Sequence, residues 1–111
     1  MVKLTHTESV RETLDVAADP ERLFQFVIAA FMEVGTVKDR SDPSWRVTGR
    51  IDGHLLAPAT VSVSLSALPE GRSRLQIDSL ARERFVTQHT ATRAAARLLD
   101  ALAANGVSGQ P

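Results

Sequence analysis

Cysteine is absent from the 111 residues, which excludes disulfide bridges, thiolate metal sites and cysteine nucleophiles. An excess of either charge is missing too, because 13 Lys and Arg residues are matched by 13 Asp and Glu residues. Binding to nucleic acid or to an anionic membrane surface draws on surplus positive charge, so the composition favours neither partner. No apolar run approaches the roughly 18 residues that cross a bilayer, and no secretory signal pattern occurs. We therefore expect a cytoplasmic protein without a membrane span.

The motifs of common enzyme classes are missing as well. No Gly-rich phosphate loop and no GxSxG nucleophile turn occurs, and the glycines stand singly. His6, His54 and His89 are far apart, and none has the i, i+4 histidine partner typical of a zinc site. The sequence thus predicts no metal, no cofactor and no catalytic residue, and it favours a protein that is not an enzyme.

The composition that remains is that of one globular domain. Hydrophobic residues make up 43% of the chain and charged residues 23%, and a chain of this length has room for one core. Only the C-terminal NGVSGQP resembles a frayed end. We predict a single α+β domain over residues 1–104 and a flexible tail over residues 105–111.

The first structural pattern is a strand followed by a helix. Residues 10–16 alternate between apolar and polar, as in a half-buried strand, with Glu12 interrupting the apolar side. Asp19 is a typical N-cap residue, and a proline follows it at the first helical position. These signals predict a helix over Pro20–Val34, which ends before Gly35.

Four further strands and a second helix follow. GTVKD is a weak strand, whereas alternation is clear over residues 45–51 and 60–66, and SRLQIDSL completes a hairpin through the turn LPEGR. Residues 87–104 carry a stripe of alanine and leucine at helical spacing, closed by Asn-Gly. The order is β-α-β-β-β-β-α. Because each clear strand has one apolar face, we predict an α+β fold with a five-stranded antiparallel sheet and two helices on one face.

The segment ESVRETLDVAADPERLFQFVI, within residues 8–34, resembles the opening of START-like, helix-grip (SRPBCC) domains: a strand, an Ala-Asp-Pro turn and an amphipathic helix. The resemblance implies a site for an apolar small molecule between a curved sheet and the C-terminal helix. The chain is shorter than such domains and lacks the second short helix that usually follows the first, so it would be a reduced version. Four strands after one helix also match the half-repeat of TATA-binding-protein-like folds.

Four residues are candidate ligand contacts: Glu12, Phe31, Trp45 and Leu98. The alternation places Glu12 on the side facing the helices, where a buried carboxyl would hold a ligand's polar end or serve as a general base. The alternative is that Glu12 lies at a sheet edge and reaches water. Trp45 heads the apolar face of its strand, while Phe31 and Leu98 lie on the apolar faces of the two helices.

A second hypothesis concerns the helix segment LFQFVIAAFMEV. Most of its apolar residues fall within one sector that a sheet face would bury. Phe26 and Met32 lie outside that sector, one on each side of a narrow polar strip. They are the candidate interface residues of a self-associating or protein-interaction domain, most simply a homodimer, which would use this helix or the polar sheet face.

The polar face of the predicted sheet is a third candidate surface. Its arginines would suit a nucleic acid: Arg11, Arg46, Arg50 and Arg74. The same face carries three aspartates, Asp15, Asp52 and Asp78. It has no aromatic side chain placed to stack on bases. The sequence therefore favours a solvated or self-pairing face over nucleic-acid binding.

Overall fold

The computed structural model describes residues 5–51, 58–84 and 89–107. Its elements in chain order are β1 (Thr5–Val16), α1 (Pro20–Val34), β2 (Gly35–Ser41), β3 (Arg46–Ile51), β4 (Ala59–Leu68), β5 (Arg72–Arg84) and α2 (Thr90–Ala104). This is the predicted order β-α-β-β-β-β-α, so the predicted α+β fold is confirmed. His54 lies outside the described residues.

The five strands form one antiparallel sheet in the order β1-β5-β4-β3-β2. β2 to β5 are neighbours in sequence order, whereas β1 pairs with the last strand, which leaves β1 and β2 as the two edges. β1 begins at Thr5 and not at Val10, because its polar first half pairs with the second half of β5. Side-chain alternation reports burial and not backbone pairing, so it missed this extension.

α1 begins and ends where predicted. Asp19 Oδ1 accepts a hydrogen bond from the backbone N–H of Arg22 at 3.0 Å, and Pro20 opens the first turn. β2 starts at Gly35 directly after the helix, so no second helix intervenes, as predicted. A side chain has no room at Gly35, because a Cβ there would lie 2.1 Å from the carbonyl oxygen of Arg50.

α2 begins at Thr90, later than the predicted Thr87. His89 has a φ of 57°, in the left-handed region, so it cannot continue a right-handed helix. Residues 87 and 88 lie outside the described residues.

The C-terminus of α2 closes with a Schellman motif. Gly106 N–H donates to Ala103 O at 3.0 Å, and Val107 N–H donates to Leu102 O at 2.9 Å. Gly106 has the left-handed φ of 86° that this motif requires. Val107 is buried, so packed chain continues at least three residues past residue 104. Residues 108–111 of the predicted tail lie outside the described residues.

Both helices pack on the same face of the sheet, and the core lies between the helices and the sheet. α1 contacts β2, β3, β4 and β5, and α2 contacts β5, β1 and β4. Alternate strand residues point into the core, among them Val47, Val61, Val63, Leu75 and Ile77. The apolar face predicted for α1 is buried at Leu23, Phe24, Val27, Ile28 and Phe31.

Gly49 in β3 allows this close packing. A Cβ at Gly49 would lie 2.7 Å from the ring of Phe31 and 2.2 Å from the carbonyl oxygen of Thr36. The aromatic ring therefore occupies the space that a side chain on β3 would otherwise fill.

Gly49→Ala is expected to lower the free energy of unfolding by at least about 2 kcal/mol, because the Phe31 ring and the β2 backbone must both move. Urea denaturation measures the loss. Gly71→Ala is the control: its Cβ meets nothing within 4 Å and only its φ of 69° opposes the change, so a loss of about 1 kcal/mol is expected. Equal losses at the two glycines would contradict the close approach of Phe31.

Candidate functional site

α2 meets the sheet through mostly small side chains. Its buried apolar residues are Ala91, Ala94, Ala95, Leu98, Ala101 and Leu102. An alanine side chain extends one carbon from the backbone, so the helix lies close to the strands and interlocks with them only shallowly. This interface is the place where the START-like resemblance implies a ligand.

Of the two positions that the sequence left open for Glu12, the structure has the exposed one at the sheet edge. Glu12 pairs with the buried Ile77 of β5 and so lies on the helix-facing side of the sheet, yet Glu12 itself is exposed. β1 is an edge strand whose helix-facing side is only partly covered, since Val10 and Leu14 on either side of Glu12 are half-buried. We call this line of Val10, Glu12 and Leu14 beside α2 the β1–α2 seam. The carboxylate stands at its rim, as the edge alternative expected.

Phe31 and Leu98 are both in the core and both 0% exposed. A side chain without accessible surface touches protein atoms on every side, so it borders no space that admits a water molecule. A ligand would reach either residue only if the helix that carries it moved away from the sheet. Their role as ligand contacts stays a prediction.

Trp45 lies apart from Glu12 and the β1–α2 seam. It lies in the turn before β3, with a φ of 49°, and its backbone carbonyl accepts a hydrogen bond from Leu65 N–H at 3.0 Å. The half-buried residue lines an open cleft of about 500 Å³ beside the N-terminus of α1, together with Asp19, Glu21, Arg22, Phe24, Gln25 and Asp42. β2 and β3 lie at the edge of the sheet opposite β1, so Trp45 lies away from the β1–α2 seam.

Two buried serines on β5 were not singled out from the sequence. Ser73 and Ser79 are 0% and 2% exposed and continue the helix-facing alternation of Leu75 and Ile77. Ser73 Oγ donates to the carbonyl of Ala18 at 2.6 Å. Ser79 Oγ has no hydrogen-bond partner among the described residues, and an unpaired buried hydroxyl costs about 1–3 kcal/mol. The extended alternation was the signal that would have placed both serines in the core.

The N-terminus of α2 is held by a carboxylate from β1. Glu8 Oε1 accepts a hydrogen bond from the backbone N–H of Thr92 at 3.0 Å, and Glu8 Oε2 lies 3.0 Å from Nδ1 of His89. The side chain of Glu8 is only 16% exposed. His89 provides no side-chain cap of its own, so Glu8 replaces it and places negative charge at the positive end of the helix.

The opposite face of the sheet carries ion pairs between strands. Arg11 Nε lies 2.6 Å from Asp78 Oδ1, and Arg74 Nε lies 2.8 Å from Asp15 Oδ1. Hydrogen bonds from these arginines hold the pKa of each aspartate below its ordinary value. Two of the four arginines considered for nucleic acid are therefore engaged by acids of the same face. This pairing supports the interpretation of a self-pairing surface.

Met32 on α1 is 66% exposed, while Phe26 is half-buried against the core.

Within residues 5–51, 58–84 and 89–107, no group of three His, Cys, Asp or Glu residues is arranged to hold a metal ion. No helix in the same ranges is long and apolar enough to cross a membrane. The cytoplasmic location stays a prediction.

Comparison with known proteins finds similarity in structure only. No family model and no curated protein matches the sequence. Ara h 8.0201 superposes with a TM-score of 0.67 at 9% identity, over 90% of this chain and 97% of that chain. The Zhui aromatase/cyclase from a Streptomyces species gives 0.62 at 8% identity, over 90% and 93%. A truncated norcoclaurine synthase from Thalictrum flavum gives 0.51 at 8% identity, over 99% of each chain.

These superpositions establish the fold, and sequence identities this low leave the activity open. Of the two folds that the element order allowed, the structure has the helix-grip arrangement, in which the C-terminal helix lies across an antiparallel sheet. The START-like resemblance seen in the segment before and within α1 is thereby confirmed at the level of the fold.

Proposed function

We propose that this protein binds an apolar small molecule between the sheet and α2 and does so without catalysing a reaction. The observation that carries the proposal is the alanine-rich face with which α2 meets the sheet. Side chains of this size give up few contacts when the helix moves outward, so space for a ligand opens at lower cost than beneath a leucine-rich face.

The β1–α2 seam is the proposed route of entry. Val10 and Leu14 present half-buried apolar surface beside the helix, and Glu12 stands between them at the rim. Leu98 lies on the buried face of α2 that would contact the ligand, Phe31 lies over Gly49 in the half of the core that α1 fills, and Glu12 remains in water to hold a polar end. Trp45 lies near the edge of the sheet opposite β1 and is not part of the proposed site.

Two of the similar structures have names that denote small-molecule chemistry, the aromatase/cyclase and the norcoclaurine synthase. Their fold supports a small-molecule site in this chain. An enzyme would need an activated acid, base or nucleophile, and the candidate base Glu12 is exposed and not desolvated. This favours a binding protein over an enzyme.

An apolar ligand is expected to raise the melting temperature of the wild-type protein. A panel of fatty acids, naphthalene and 2-naphthol serves as the probe set, measured by calorimetry. A ligand at ten times its Kd adds about 1.4 kcal/mol of stability if it binds only the folded state. No shift with any member of the panel would contradict the proposal.

Two alanine variants locate the binding site. Ala95 lies in the buried face of α2 and Ala96, the next residue, is exposed. Ala95→Met fills the interface and is expected to abolish the ligand-induced shift, whereas Ala96→Met is expected to retain it. Melting of both variants without ligand shows whether each is folded. Loss of the shift in both variants, or in neither, would place the ligand elsewhere.

A second candidate function is self-association through α1, favoured by the 66% exposure of Met32. Methionine side chains of this exposure are common at adaptable contact surfaces. Phe26 adds partly covered apolar surface on the other side of the polar strip.

If α1 forms a homodimer, light scattering will give twice the monomer mass, and Met32→Glu and Phe26→Glu will each reduce it to the monomer. Ala96→Glu is the matched control, because it adds the same charge at an exposed position of the other helix, α2. A wild-type monomer at high protein concentration would exclude this function, as would equal disruption by the control.

A further inference from the structure

Ser79 is a polar group inside an apolar interface. It pairs with Val10 on β1 and with Val61 on β4, and it is flanked along its own face of β5 by Ile77 and Ala81. Three of these four neighbours are buried and Val10 is half-buried. α2 covers the same three strands. The hydroxyl therefore points into the space between sheet and helix, where it has no partner among the described residues.

Ser73 shows what a purely structural serine on this face does. It is equally buried and lies on the same side of the same strand, and its hydroxyl donates to the Ala18 carbonyl at 2.6 Å. That bond ties β5 to the turn before α1. Ser79 makes no comparable bond within residues 5–51, 58–84 and 89–107, although a buried hydroxyl ordinarily finds a partner. The contrast marks Ser79 as the serine whose hydroxyl is available to a bound molecule.

The surroundings of Ser79 restrict the class of that molecule. Its cross-strand and same-face neighbours are all aliphatic, so no charged side chain on them would balance a ligand charge. Burial of an uncompensated charge is far more costly than burial of a neutral group that is hydrogen-bonded. A hydroxyl or carbonyl group on an apolar skeleton fits this environment, because Ser79 both donates and accepts hydrogen bonds.

We infer that Ser79 is the polar anchor of the sheet–α2 site and that the ligand is an apolar molecule bearing a neutral hydrogen-bonding group. This rests on the proposed function. Glu8 pairs with Ala81, two residues from Ser79 on β5, and caps the first turn of α2. The anchor therefore lies beneath the N-terminal part of that helix.

The test compares naphthalene with 2-naphthol, which differ by one hydroxyl group. Calorimetric titration of the wild-type protein is expected to show about three- to tenfold tighter binding of 2-naphthol, the usual value of one net hydrogen bond. Ser79→Ala is expected to remove this preference while leaving naphthalene affinity unchanged. Its melting temperature without ligand is expected to stay the same or rise, because the hydroxyl has no bond to lose among the residues that the structure describes.

Ser73→Ala is the matched control. It is expected to lower the melting temperature, since the bond to Ala18 is lost, and to keep the preference for 2-naphthol. Binding of both compounds with the same affinity to wild-type protein and Ser79→Ala would overturn the anchor and leave the proposed function standing. A lower melting temperature for Ser79→Ala would also overturn it, by showing that the hydroxyl is bonded in the free protein. No binding of either compound to the wild-type protein would overturn the anchor together with the sheet–α2 site for such compounds.

Discussion

The contact between α2 and the sheet is the constraint on which the rest of the structure depends. α1 fills its share of the core with bulky side chains, such as the Phe31 ring that lies over Gly49. α2 instead brings mainly alanines to the strands β1, β4 and β5. One half of the core is thus tightly interlocked, and the other half is a close but shallow contact. A small-molecule site in the shallow half leaves the interlocked half intact when the ligand enters.

Both ends of α2 are held by specific hydrogen bonds. Glu8 caps the first turn from β1, and the Schellman motif with the buried Val107 closes the last turn. Between these attachments lies the alanine face, and the hydroxyl of Ser79, which is buried without a partner among the described residues, lies beneath its N-terminal part. Ends held by hydrogen bonds and a middle packed through small side chains suit a helix that yields locally while the fold persists.

Local signals predicted much of this fold from the sequence. Asp19, Pro20 and Gly35 determine the ends of α1 through hydrogen bonds and close contacts that involve few residues, and strand alternation revealed the face that each strand buries. Non-local features were missed. Glu12 follows the alternation but is exposed because β1 is an edge strand, and the hydroxyl of Ser79 is notable only because the tertiary structure leaves it without a partner in the described part of the chain. Neither edge position nor hydrogen-bond satisfaction is encoded in local spacing.

Hydrogen exchange of the α2 amides, with and without bound 2-naphthol, tests the central claim most directly. If α2 separates from the sheet to admit a ligand, its middle amides will exchange through an opening of lower free energy than those of β4 and β5 in the free protein. Bound ligand will then slow exchange in α2 more than in α1. Exchange of the α2 amides only through global unfolding, with equal protection of both helices by ligand, would contradict the account.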